Sequence, residues 1–152
     1  MGIINKKECT AVFIGHNECY SLSSNDVELA IEDLINKGVT TFLSGGQGGF
    51  DRLCAVCVNR LKQQYSQIKN CIVIPYLDFK IFDKDIFDEI IYPENFEKYH
   101  YKAAIPARNR FMVDNSAYAI CYVNHSWGGA AKTFERAIKK NLIITNLGEY
   151  GG

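Results

Sequence analysis

Five short runs, Thr10 to Ile14, Val39 to Leu43, Cys71 to Pro75, Tyr118 to Val123 and Leu142 to Thr145, are apolar or β-branched nearly throughout instead of alternating with polar residues. A strand covered on one face alternates and a strand covered on both does not, so these runs predict a parallel sheet buried on both sides. Between them the apolar period lengthens to that of a helix. Val27, Ala30, Ile31, Leu34 and Ile35 mark one helical face, with Asn25 and Glu28 spaced as a capping box and Gly38 as a stop. A second helix carries Phe50, Leu53, Cys54, Cys57, Leu61 and Tyr65 on one stripe. A third is expected to begin near Pro106, which a first helical turn tolerates, and to run to about Asn115. The last follows Gly128-Gly129 and turns Ala130, Phe134, Ala137 and Ile138 inward. Strands alternating with helices at this spacing predict a three-layer, Rossmann-like α/β fold: an open, mostly parallel sheet with helices on both faces. Tyr76 to Lys102, rich in Phe, Tyr, Ile and Asp, breaks the rhythm. It reads as a helix and loop covering the sheet edge, or as a lid or oligomer contact.

Length and composition narrow this picture. The 152 residues contain no repeat or linker and fit one domain, 1–152, large enough to bury roughly 70% of the surface of the unfolded chain. Lys plus Arg and Asp plus Glu balance at 17 each, so the basic excess that accompanies phosphate neutralisation is missing and a nucleic-acid partner is not expected. No apolar run approaches the ~20 residues of a spanning helix, so no membrane partner is expected either. The N-terminal Met1 to Lys6 lacks a signal core, and Lys6 stands where myristoylation wants Ser or Thr, which makes a cytoplasmic location the expectation. Six cysteines fall mostly in buried segments and read as reduced and structural. Cys54-x-x-Cys57 has no second pair to complete a zinc site, so no metal or cofactor is expected. Gly151-Gly152 reads as an ordinary chain end.

In open α/β sheets ligands bind beyond the carboxyl ends of the strands, so the residues after each strand carry the chemistry. Three turns stand out: Gly15-His16-Asn17, Ser44-Gly45-Gly46-Gln47-Gly48-Gly49-Phe50-Asp51, and Asn124-His125-Ser126-Trp127-Gly128-Gly129. Four glycines between a strand and a helix start allow close backbone approach and aim N–H groups at an anion, which marks Gly45 to Gly49 as the main phosphate cradle. The spacing is neither G-x-G-x-x-G nor a Walker A. Gly128-Gly129 opens a helix in the same way, with Ser126, Lys132 and Thr133 near enough to add hydroxyl and cationic contacts. Arg108, expected with Asn109 in the first turns of a helix, can fork onto phosphate or carboxylate. Arg110 reads instead as an i,i+4 partner of Asp114. His16 sits in a turn that could bind, and Trp127 could stack on a base or cap the core.

Together these residues resemble the YpsA-like branch of the SLOG superfamily, the group named for Smf/DprA and LOG proteins. The matching stretches are Phe13-Ile14-Gly15-His16, Gly38 to Gly46 into Gly49-Phe50-Asp51, Arg108-Asn109-Arg110-Phe111-Met112-Val113-Asp114, and Gly128-Gly129. The resemblance implies binding or sensing of a nucleotide-derived small molecule such as ADP-ribose or an NAD-like ligand, and a homodimer. Asn17 and Ala130 depart from the Arg and Thr usual in such proteins. The LOG branch implies an alternative, a phosphoribohydrolase that cleaves the N-glycosidic bond of nucleoside monophosphates through an Arg and a Glu. Arg108, four residues before Met112, and Glu135, seven after Gly128, match those positions. Asn109 and Ala131-Lys132 do not match the LOG pattern. A carboxylate there would stabilise an oxocarbenium-like ribosyl centre.

Overall fold

The structure, a computed structural model, describes residues 6–148; Met1 to Asn5 and the Gly151-Gly152 chain end lie outside them. The elements run β1 (Thr10–Gly15), α1 (Ser24–Asn36), β2 (Thr41–Ser44), α2 (Gly49–Leu61), β3 (Lys69–Val73), β4 (Glu89–Ile91), α3 (Tyr101–Asp114), β5 (Tyr118–Tyr122), α4 (Gly129–Lys139) and β6 (Ile143–Asn146). All six strands are parallel, in the order β4-β3-β2-β1-β5-β6. Four of the five continuous apolar runs are explained by two cores, one on each face; the fifth, Leu142 to Thr145, expected to be buried on both faces, instead forms the edge strand β6, where Ile143 is 58% exposed. Ala11 and Phe13 of β1 point towards α1 and α2, where they meet Ile31, Phe42 and Phe50. Val12 and Ile14 point the other way, into a second core with Met112, Val113, Phe134 and Ala137 of α3 and α4. Both faces of the same strand are dry, so neither could be polar.

Three local expectations shift. The cap of α1 is Ser23, whose Oγ accepts from Asp26 N at 3.2 Å, two residues before the expected Asn25. Helix α3 starts at Tyr101, not near Pro106: His100 caps it through Nδ1, and Pro106 lies inside it. The missing N–H is tolerated because the buried side of α3 continues past it in Ala107, Arg108, Met112 and Val113. Arg108 and Asn109 consequently stand in the middle of a helix, not in its first turns. Tyr76 to Lys102 contains no α-helix before Tyr101. It forms two short 3-10 turns, Lys84–Ile86 and Phe96–Lys98, and supplies β4, a sixth strand that extends the sheet edge beside β3. Among the described residues no helix is long and apolar enough to cross a membrane.

The strand order positions the site. The chain builds outward from β1 to β4, then returns to place β5 on the other side of β1. Connections leaving β1 and β5 diverge to opposite faces, and a crevice opens between them at the carboxyl ends.

Candidate functional site

The turn after β2 is tightly closed on itself. Gly48 caps α2 with φ 89° and no side chain to offer, and Asp51, in the first turn of α2, reaches back so that Oδ2 accepts from Gln47 N at 3.1 Å. Gly49 N donates to the backbone and side-chain oxygens of Asn17, both at 2.9 Å. The N–H groups expected to hold a phosphate at Gln47 and Gly49 are therefore engaged by Asp51 and Asn17. Internal packing also accounts for the glycines. A Cβ on Gly45 would stand 2.8 Å from Arg108 Cζ, one on Gly46 2.5 Å from Ile72 Cδ1, and one on Gly49 2.4 Å from Asn17 O.

Arg108 lies beneath this turn, only 1% exposed. Its Nη1 donates to Gly45 O at 2.6 Å and Val73 O at 2.9 Å, its Nε to Asn109 Oδ1 at 2.9 Å, and its Nη2 to Gln47 Oε1. The guanidinium ties α3 to the ends of β2 and β3 instead of projecting into solvent. Burial drops its pKa to about 10, with the charge of Asp51 acting against the drop. Asp51 shows the complementary effect: burial raises its carboxyl to about 6, opposed by the Gln47 N–H, the Arg108 charge and the Gly45 N–H. Ser44 is also buried, and its Oγ has no partner among the described residues.

The turn after β5 is open. Gly128 caps α4 with φ 95°, and among the described residues no side chain caps the helix and a Cβ at Gly128 or Gly129 would meet nothing within 4 Å. Among the described residues Gly129 is the one glycine whose missing side chain neither positive φ nor a close neighbour explains. Thr133 Oγ1 donates back to Gly129 O at 2.8 Å, which leaves its lone pairs for an incoming donor. Beside this helix start three rings are stacked: His16 on His125 at 3.6 Å and His125 on Trp127 at 3.8 Å between centroids. His16 Nε2 accepts from Asn124 N at 3.2 Å, which joins the β1 and β5 turns across the crevice. Burial, and then His125, lower the His16 pKa, so its imidazole is neutral at physiological pH and free to accept. His125 Nδ1 is buried without a partner among the described residues, and Trp127 is 69% exposed at the end of the stack.

Two confluent cavities occupy the crevice. One of about 400 Å³ is lined by Gly15, Gln47, Asp51, Arg108, Asn109 and Thr133. The other, about 790 Å³, is lined by His16, Tyr20, Ser21, His125, Trp127 and Gly128. They meet at Gly15, Asn17, Gly129 and Ala130. The structure thus gathers almost all of the sequence-predicted residues at one edge of the sheet, but Glu135 is exposed and lines neither cavity. Sequence reading missed Tyr20, Ser21 and Tyr122; the Ser21 to Tyr122 hydroxyl contact at 3.0 Å spans 101 positions, which no local spacing reveals. It also misassigned Arg110: Asp114 is held by Arg136 through two bonds of 2.9 and 2.8 Å, and Arg110 has no ion pair among the described residues. Among those residues no group of three His, Cys, Asp or Glu could hold a metal ion.

Comparison with known proteins places this geometry among relatives. Residues 10–146 match the YpsA model, described as the YspA SLOG family. The SPbeta prophage-derived protein YoqJ of Bacillus subtilis strain 168 is 30% identical over 133 residues, covering 74% of this chain and 78% of YoqJ. Among solved structures, DNA processing protein A (DprA) from Streptococcus pneumoniae superposes with a TM-score of 0.67 at 21% identity, over 92% of this chain and 50% of its own. DprA from Helicobacter pylori, solved for its single-stranded DNA binding mode, gives 0.63 at 17% identity, over 94% of this chain and 66% of its own. The chain spans half to about two thirds of these DprA chains. These neighbours overturn the expectation that charge balance argues against a nucleic-acid partner, because a protein of the same fold binds single-stranded DNA. Net charge is a sum over the surface and does not report how cations are grouped.

Proposed function

This chain belongs to the YspA SLOG family, and from that premise we propose that it holds a phosphate-bearing, nucleotide-derived ligand in the crevice between β1 and β5. The phosphate rests on the uncapped start of α4, and the base lies against Trp127 at the end of the His16-His125-Trp127 stack. The observation that carries this reading is the open space over Gly129, next to that stack. Free N–H groups and a helix dipole favour an anion there, and an exposed indole offers a flat apolar face one ring deep. The Gly45 to Gly49 turn contributes shape, held by Arg108, more than donors. The hydrolase alternative needs a carboxylate at the ribosyl carbon, and the exposed Glu135 offers no support for one.

Trp127 is the sole tryptophan of the chain, so it reports on its own site. Titration with AMP, ADP-ribose and NAD should change its fluorescence saturably. Calorimetry on Trp127→Ala should show affinity for the same ligand reduced about tenfold, the value of one lost base stack. Absence of binding by all three ligands at millimolar concentration would remove the reading.

A further inference from the structure

A third cavity, of about 430 Å³, lies between α3 and α4. It opens from the crevice without a break: Ile105, Asn109, Gly129 and Thr133 line both it and the first cavity, and Gly129 borders all three. Its lining among the described residues includes Arg110, Lys132 and Arg136 and no carboxylate. Arg136 is neutralised by Asp114, whereas Arg110 and Lys132 form no ion pair among the described residues. Ile105 and Pro106 add an apolar strip to the same wall. In a protein whose formal charge is zero, this is a local concentration of uncompensated positive charge leading away from the start of α4.

We propose that the α3–α4 groove is a phosphate track, in which Arg110 and Lys132 engage the backbone of a single-stranded oligonucleotide whose terminal nucleotide occupies the crevice. The proposal rests on the nucleotide reading of the crevice and extends it by naming the ligand class and a second site. Charge and continuity select this occupant. A mononucleotide is accommodated by the crevice alone, and only a ligand with further phosphates reaches the cations beyond Gly129. Phosphates spaced along a strand suit two separate cations on facing helices, and the strip of Ile105 and Pro106 suits the sugars and bases between them. A peptide of Asp and Glu would also meet the cations, but its side chains carry no ring to place on Trp127.

The experiment compares dTMP with tetrathymidylate by calorimetry on the full chain, at several salt concentrations, for the wild type and for Arg110→Gln/Lys132→Gln. Both side chains are exposed, so the variant is expected to fold as the wild type does, which circular dichroism checks. The tetramer should bind the wild type about tenfold more tightly than dTMP, from charge-assisted phosphate contacts. In the variant the advantage of the tetramer over dTMP should disappear, and the slope of log affinity on log salt for the tetramer should fall by about 1.4, at ~0.7 per phosphate contact. Equal affinity for the two ligands, or a length advantage that survives in the variant, would overturn the track and leave the crevice reading intact. So would polyglutamate of equal charge binding as tightly as the tetramer. Failure of dTMP and the tetramer alike would overturn the track, and the titration with AMP, ADP-ribose and NAD then decides the crevice reading separately.

Discussion

Asp51 and Arg108 show how far a residue's role depends on what surrounds it. In sequence both are charged groups flanking glycines, candidates to meet a ligand. In the structure they meet each other's neighbourhood: Arg108 holds the carbonyl groups of Gly45 and Val73, and Asp51 accepts the Gln47 N–H. The buried carboxyl of Asp51 titrates near 6 in the fold, against an ordinary value of 3.8. A raised carboxyl pKa means the folded state binds the proton more tightly than the unfolded chain. The associated stabilisation is complete below about pH 4 and is lost as pH rises through 6. Wild type should therefore gain stability relative to Asp51→Asn as pH falls from 7 to 4, by an amount on the order of 2 kcal/mol. Urea unfolding of both proteins across that range checks the sign; a difference that is flat or runs the other way would show the carboxyl to be well solvated.

At the scale of elements, two turns of similar composition do different work. Glycines 45, 46 and 49 are demanded by Arg108, Ile72 and Asn17, so the turn after β2 is a packed joint. Among the described residues nothing demands Gly129. The difference separates stability from binding. Gly45→Ala should destabilise by about 1–3 kcal/mol through overpacking against the guanidinium, as thermal unfolding would record. Gly129→Val should leave the unfolding midpoint unchanged or slightly higher, since valine is a better helix former than glycine. It should nonetheless weaken nucleotide binding at least about tenfold by covering the N–H groups of α4. Unaltered affinity in Gly129→Val would place the phosphate elsewhere.

For the molecule as a whole, the two cores decide which groups solvent can reach. Cys54, Cys57, Cys71 and Cys121 are buried, whereas Cys9 and Cys19 are partly exposed. Burial pushes the Cys57 thiol up to about 11 and that of Cys71 to about 12, and raises Cys54 and Cys121 as well. Since only a thiolate reacts and burial raises the Cys19 thiol as well, a disulfide reagent at pH 8 should modify Cys9 first, Cys19 more slowly, and the other four only on unfolding. More than two fast thiols by mass spectrometry would contradict the packing.

The periodicity of the sequence was enough to specify the parallel sheet, its two covered faces and the turns at its carboxyl edge, because burial on both faces forces apolar residues at every position of a strand. It was not enough for β4, a three-residue strand too short for any period, or for the start of α3, where tertiary contacts carry a helix through Pro106. The family motif was readable because its glycines and Arg108 lie in local stretches. What only the tertiary structure decided is which of these groups are already satisfied. Hydrogen bonds such as Arg108 to Gly45, 63 positions apart, and Gly49 to Asn17, 32 apart, consume donors that the sequence presents as free. The converse holds for Arg110, whose expected partner Asp114 is captured by Arg136 from another helix. Donor supply is a local property of sequence, but donor vacancy depends on long-range contacts, and among the described residues no side chain caps the start of α4 at Gly128-Gly129.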